Sequence, residues 1–310
     1  MITVLAGGVG AAKFLEGLAA AMPPAEITVI ANTGDDAEFH GLHVSPDMDT
    51  VLYTLAGVVD REQGWGLAGE TFHCLAALER MGEETWFRLG DRDLATHLLR
   101  TRRLRQGATL TEVAEELCRA FGVRCRIIPM TDGPAGTRLR TDQGELSFQE
   151  YFVKLRQKPE VLEADFSAAA ASRPAPGVLE SVTRADAVIL APSNPILSIG
   201  PILAVPGIRE ALRNTTATVA AISPIVGGRA LKGPAARNLA SLGYGATAAA
   251  VAEMYRDFVK VFVLDEQDAR QREIIERKGM RAMVAQTVMR SSEDRRKLAG
   301  SLLKELEGLR

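Results

Sequence analysis

The sequence predicts an α/β fold built on a doubly wound, mostly parallel sheet. Three observations predict it. The apolar strand Met1–Ala6 runs directly into a glycine loop, Gly7-Gly8-Val9-Gly10, and then into a helical pattern. Continuous apolar runs such as Ala187–Ala191 recur along the chain, as a sheet buried on both faces requires. Polar clusters follow Ala6, Ala31, Ala191, Ile222 and Leu264, and ligands of open parallel sheets bind beyond the carboxyl ends of the strands.

The elements follow in order. A helix is expected over Ala11–Ala20, stopped by Pro23-Pro24. Ile27–Ala31 comes too soon after it to be anything but the parallel return of a βαβ unit. Asn32-Thr33-Gly34-Asp35-Asp36 ends that strand, and His40–Thr50 reads as a Pro-bent loop carrying Asp47 and Asp49. From Thr50 to Phe121 apolar residues recur at helical spacing, with turns at 64–66 and 89–93. Arg124–Pro129, Thr137–Arg140 and Leu146–Val153 read as a short β-rich insert, and Ala168–Pro176 as a linker with little to bury. Strands resume at Ala187–Ala191, Thr216–Ile222, Lys260–Leu264 and Met280–Val288. The C-terminal helix spaces Leu298, Leu302, Leu303, Leu306 and Leu309 on one face, with Ser291 or Ser292 as its cap. Residues 1–310 are thus expected to form a single Rossmann-like α/β nucleotide-binding domain. A helical, then β-rich insertion should span roughly 60–175.

Composition narrows the function classes. A net charge of -2 gives no reason to expect nucleic-acid binding. Cys74, Cys118 and Cys125 form no CxxC pair, which suits free, buried thiols in a reducing compartment. No apolar run reaches the ~18–20 residues of a membrane span, and no secretory pattern opens the chain. A cytoplasmic protein is expected. The basic run Arg100-Thr101-Arg102-Arg103-Leu104-Arg105 reads as a solvated helix end, with a local anion contact as the alternative. A homodimer is expected from the apolar faces of the C-terminal helix and of the stretch after Thr50.

The candidate site lies in the first fifty residues and around 193. Gly7, Gly8 and Gly10 let a backbone approach phosphate, the helix behind them favours negative charge, and Lys13 adds a cation. The same glycines would also suit a tight turn that serves packing alone. Asn32, Asp35, Asp36, Asp47 and Asp49 supply an amide and four carboxylates. Those acids suit oxygen ligation of a magnesium-like ion by Asp35, Asp36 and Asp47, with structural turns as the alternative. Carboxylates beside a phosphate need a cation between them, so a nucleotide phosphate, a divalent metal and a second substrate are expected together. Ser193 and Asn194 sit at a later strand end and suit phosphate or a base edge, or only a bend. His40 and His43 lack the further nitrogen or sulfur ligands that zinc requires, and helix capping or hydrogen bonding to the loop is expected of them instead.

Several stretches together resemble the 2-phospho-L-lactate transferases and their bacterial phosphoenolpyruvate and 3-phosphoglycerate counterparts in deazaflavin coenzyme (F-420) biosynthesis. They are Gly7–Leu15, Asn32–Asp36, His40–Val51, Trp86–His97, Ile128–Asp132 and Ser193–Arg209. Val9 departs from members with Thr there, which removes a hydroxyl but leaves the amides. The resemblance implies a reaction. The ribityl hydroxyl of 7,8-didemethyl-8-hydroxy-5-deazariboflavin attacks the guanosine diphosphate ester of a phospho-acid, GMP leaves, and a phosphodiester remains. It also implies Mg2+, a GDP-bearing donor, acceptor contacts from Asp49 and Arg88, and an insertion that forms part of the acceptor site. Asp49 would orient the attacking hydroxyl or help hold the metal. The main alternative is a non-catalytic nucleotide-sugar-binding regulator of the same superfamily. A nicotinamide-dependent dehydrogenase would want the full glycine fingerprint and no cluster of four acids.

Overall fold

Short apolar strands alternating with helices leave the chain one economical solution, a sheet with both faces covered. The computed structural model describes residues 1–230 and 233–309. It contains β1 (Ile2–Ala6), α1 (Gly8–Ala21), β2 (Ile27–Ala31), β3 (Ala37–Phe39), β4 (Leu42–Val44), α2 (Pro46–Leu55), α3 (His73–Arg80), α4 (Asp93–Arg105), α5 (Leu110–Ala120) and β5 (Arg126–Pro129). Then come β6 (Arg138–Thr141), β7 (Gly144–Ser147), β8 (Val161–Asp165), β9 (Ala187–Leu190), β10 (Thr218–Ile222), β11 (Ile225–Val226), β12 (Arg229–Ala230), β13 (Val261–Asp265) and β14 (Arg281–Ala285). A last helix spans Ser292–Glu307.

Among the described residues, seven strands form one sheet in the order β14-β13-β10-β9-β1-β2-β5, every pairing parallel. The chain builds outward from β1 through β2 to β5, then crosses to β9 and builds outward the other way. The reversal falls between β1 and β9, where open sheets of this kind leave a crevice. Val4, Val29 and Ile127 face a layer made by α1, α2, α5 and the C-terminal helix. Leu5, Ile30 and Ile128 face the opposite layer with Val178, Ile202, Ile208 and Leu212. The C-terminal helix lays Leu298, Leu302 and Leu306 into the first layer, so the face that motivated a dimer is used within one chain. Ser291 caps it: its Oγ accepts from Asp294 N at 3.1 Å, and the Asp294 carboxylate accepts from Ser291 N at 2.8 Å. No helix among the described residues is long and apolar enough to cross a membrane.

Several local expectations change. The segment before α2 is a hairpin, β3 paired antiparallel with β4, turned by His40 (φ 50) and Gly41 (φ 73). Two consecutive positive φ values make the tight turn that matches strand twist. Pro46 then starts α2 as its first residue, so Asp47 and Asp49 lie in a helical first turn and not in a bent loop. Arg126–Pro129 belongs to the central sheet beside β2, and the insert proper is a three-stranded antiparallel sheet, β7-β6-β8. The alanine-rich segment expected as a linker carries a helical turn at Ser167–Ala171 and buries Ala169 and Ala175. Cys118 and Cys125 are buried, but Cys74 is exposed.

Candidate active site

The crevice is built first from backbone. α1 begins at Gly8, so its N-terminus opens where β1 ends. Gly7 N donates to Ser193 Oγ at 3.2 Å across the β1–β9 crossover. A Cβ at Gly7 would lie 2.5 Å from Asp47 Oδ2, and one at Gly10 would lie 2.3 Å from Pro192 O. Glycine is therefore required at both positions by their neighbours. Asn194 Oδ1 accepts from Ile196 N and Leu197 N at 3.0 and 3.1 Å and so builds the turn behind Ser193. Lys13 is partly buried one turn into α1.

The acids converge beside this loop through one buried amide. Asn32 Nδ2 donates to Asp47 Oδ2 at 2.9 Å and to Asp35 Oδ1 at 3.3 Å, while Asn32 Oδ1 accepts from Gly34 N at 2.9 Å. Asp47 N donates to Asp35 Oδ2 at 2.9 Å. The Gly8 amide and the Ser198 hydroxyl also bond the Asp47 carboxylate. Asp36 Oδ2 accepts from Ser45 Oγ at 2.8 Å and lies 2.9 Å from His43 Nε2. Asp36 Oδ1 is buried and has no partner. Burial raises all three carboxyls. The charges of Asp47 and Asp36 raise Asp35 further, and Asp47 is pushed up to about 6. Among the described residues no three His, Cys, Asp or Glu side chains form a ready-made metal cage. The donor set is nonetheless all oxygen, one buried oxygen lacks a partner, and the charges repel one another. That fits a hard cation held by few carboxylates and keeping several waters, as Mg2+ does.

A second ionic group lies behind the first. Arg100, fully buried on α4, grips Asp49: Nη1 donates to Oδ2 at 3.0 Å and Nη2 to Oδ1. His97 Nε2 sits 3.3 Å from Asp93 Oδ2, and Tyr53 Oη donates to Asp93 Oδ1 at 2.5 Å. Burial pushes the Tyr53 hydroxyl far up, helped by the charges of Asp49 and Asp93, so it stays a donor. Arg100 is therefore the ionic anchor of α2 to α4 and not part of a solvated helix end. The buried face of α4 is polar (Thr96, His97, Arg100, Thr101), while Leu98 is 56% exposed. Hydrophobic periodicity cannot find such a helix face.

The insertion closes the other side. Phe39 of the β3–β4 hairpin stacks on Phe87 with ring centroids 3.9 Å apart, and Trp86 meets both rings edge-on. Arg88 is exposed, makes no ion pair among the described residues, and lies over the Phe72 ring at 4.2 Å. No hydrogen bond or ion pair joins it to Asp49. A cavity of about 150 Å³ opens between Asp36 and the β6–β7 hairpin, with Thr137, Arg138 and Gln149 in its wall. His43 makes the loop hydrogen bond expected of it, to Asp36; Ser45, Arg100, Thr137 and Gln149 were not singled out as site residues because their partners are remote in sequence or they belong to misassigned elements.

The family model described as 2-phospho-L-lactate transferase CofD matches residues 2–300. The chain belongs to this family. A phosphoenolpyruvate transferase of Streptomyces coelicolor is 49% identical over 259 residues, covering 82% of this chain and 81% of the relative. One of Streptomyces griseus is 44% identical over 315 residues, covering 100% and 99%. A 2-phospho-L-lactate transferase of Methanosarcina acetivorans is 40% identical over 296 residues, covering 96% of each chain. The fold is that of a upf0052-family crystal structure from Bacillus halodurans, with a TM-score of 0.65 at 17% identity, covering 97% of this chain and 98% of that one. The crevice thus belongs to a CofD-type phospho-acid transferase, and the family resemblance drawn from the motifs holds over nearly the whole chain.

Proposed function

We propose that this chain transfers a phospho-acid from its guanosine diphosphate ester to the ribityl hydroxyl of 7,8-didemethyl-8-hydroxy-5-deazariboflavin, releasing GMP. The observation that carries this reading is the triad of buried Asp35 and half-buried Asp36 and Asp47, packed against a glycine loop and helix N-terminus at the sheet crossover. Gly7, Gly8 and Gly10 and the start of α1 hold the diphosphate, with Ser193 and Lys13 beside them. Asn32 and Asn194 shape that surface from beneath. Asp35, Asp36 and Asp47 hold Mg2+, which when bound neutralises charge on the reacting phosphoryl group. The rest is positioning of two substrates in line, with no covalent nucleophile required. Both oxygens of Asp49 are engaged by Arg100, so Asp49 acts by fixing the first turn of α2 and with it Asp47. Direct contact of Asp49 with the acceptor would require that ion pair to open.

The reading is tested by supplying the deazaflavin with guanylylated phosphoenolpyruvate, phospholactate or phosphoglycerate. The two Streptomyces relatives make phosphoenolpyruvate the first donor to try. Mass spectrometry should show GMP and a new phosphodiester, and absence of both with every donor would overturn it.

Arg88 is the proposed contact to the acceptor ring. Its guanidinium is planar, exposed and stacked on Phe72, so it is already oriented for a flat partner. Arg88→Ala is expected to raise KM for the deazaflavin roughly ten- to hundredfold, the loss of one charge-assisted contact. KM for the donor should stay nearly unchanged. Equal effects on both substrates, or none, would remove Arg88 from the acceptor site.

A further inference from the structure

Helices α3 and α4 both begin without a cap of their own: neither Phe72 before α3 nor Arg92 before α4 places a side chain on its helix start. Such a start leaves backbone N–H groups that need acceptors, and its positive end favours a carboxylate there. The two loops supply these acceptors to each other. Asp91, from the loop before α4, accepts from His73 N and Cys74 N at 2.9 Å each and from Thr71 Oγ1 at 2.6 Å. Glu70, from the loop before α3, accepts from Arg92 N at 2.6 Å and from Asp93 N at 3.0 Å. Asp91 N donates to Thr71 O at 2.8 Å, and Arg92 Nη1 donates to Ala68 O at 2.5 Å, which closes the exchange.

This exchange brackets Arg88 and the ring beneath it. Asp91 grips Thr71 and His73, the residues on either side of Phe72. Glu70 is pressed against Gly90, where a Cβ would lie 1.9 Å from Glu70 Cγ, so glycine is what lets that carboxylate reach α4. Leu89 and Gly90 are buried, which fixes the backbone just after Arg88. The guanidinium therefore meets the Phe72 ring at 4.2 Å through two loops that are bonded to each other and not through its own flexibility. The acids that follow Arg88 also leave it its charge. Asp91 is spent on α3, and Asp93 on Tyr53 and His97. The bonds from Thr71, Cys74 and His73 hold the Asp91 carboxyl below its ordinary value, so it is ionised at neutral pH.

We propose that Glu70 and Asp91 are positioning residues for the acceptor: by capping each other's helices they hold the Arg88 guanidinium flat on Phe72, ready for a planar ring. The inference rests on the acceptor reading of Arg88 given above. An arginine already held in one geometry loses less side-chain freedom on binding than a loose one, so the effect belongs to acceptor affinity and not to the transfer step.

The test is a double-mutant cycle on KM for the deazaflavin. Glu70→Ala and Asp91→Ala should each raise it about three- to tenfold, the cost of ordering one long side chain, with kcat and KM for the guanylylated donor nearly unchanged. In an Arg88→Ala background the same changes should add less than about twofold, because the residue they act through is gone. Asp91→Asn, which keeps one accepting oxygen, should fall between wild type and Asp91→Ala. A readout without substrate accompanies the rates: the Phe72 ring current should shift the Arg88 δ-proton resonances upfield in wild type, and both alanine variants should relax that shift. Unchanged GDP binding in each variant would show that the crevice is intact. A loss carried in full in the Arg88→Ala background, a loss falling equally on the donor, a normal KM, or an unmoved ring-current shift would overturn the proposal and leave the two acids as helix caps alone. If Arg88→Ala by itself leaves KM for the deazaflavin unchanged, the acceptor reading of Arg88 fails and the positioning role falls with it.

Discussion

Removing divalent cations with excess chelator is expected to abolish turnover, by at least about a hundredfold, and Mg2+ should restore it. A cation on transferring phosphoryl groups supplies several kcal/mol of charge stabilisation. Here it would also offset the mutual repulsion of three neighbouring carboxylates. Asp35 is buried, Asp36 and Asp47 lie half-buried beside it, and desolvation raises each carboxyl above its ordinary value of 3.8. The sign of the pH effect follows. Between pH 3.8 and about 6 the folded protein holds a proton on Asp47 that the unfolded chain has lost, so stability falls as pH rises through this window and levels off above it. Mg2+ competes with those protons. It should raise the melting temperature clearly at pH 7.5 and little at pH 5. Full turnover in chelator, or the same thermal gain at both pH values, would remove the three acids from metal binding.

Replacing Arg100 by leucine is expected to cost about 3–5 kcal/mol, the penalty for leaving one member of a buried ion pair uncompensated. For a chain of 310 residues that is a fall in melting temperature of roughly 5–8 °C. Asp49 would stay 4% exposed in α2 with no guanidinium to bond. Arg100→Lys should fall between wild type and Arg100→Leu, because an ammonium cannot match both carboxylate oxygens. Asp49→Leu placed together with Arg100→Leu should recover most of the loss, since the cost lies in the orphaned charge and not in the missing bond. A single Arg100→Leu variant melting within about 2 °C of wild type would show that water reaches the pair. Asp49→Asn is accordingly expected to lower stability as well as rate, in contrast to what an acid in an open loop would do.

What could be read before folding, and what could not, divides along physical lines. The central strands were legible because a sheet buried on both faces needs unbroken apolar runs, and β1, β2, β9, β10 and β13 have them. That the polar clusters beyond Ala6, Ala31 and Ala191 would converge was legible because such clusters at strand ends have no packing role to account for them. The β3–β4 hairpin was not, since its three-residue strands are too short for a periodic signal and His-Gly is a less familiar turn pair than Asn-Gly. Arg100 was hidden for another reason. In Arg100–Arg105 the neighbouring arginines face solvent, and the residue that turns Arg100 inward is Asp49, 51 positions away. Thr137 acquires meaning only when the insert folds back on Gly34.

The sheet order also decides when the protein can become itself during synthesis. The first strand lies inside the sheet, next to its central strand β9, and β9 begins only at residue 187. The first helix is clasped by the last, so tightly that a Cβ at Gly17 would lie 2.2 Å from Arg295 O. The opening βαβ unit therefore leaves the ribosome with one strand edge and one helix face bare. They stay bare until most of the chain has emerged. Contacts of such long range are slow to form, and an exposed parallel edge invites wrong pairing in the interval. A chain ended before residue 292 would keep every acid of the crevice and still lack the helix that covers α1. Such a chain should be captured by chaperones and digested early.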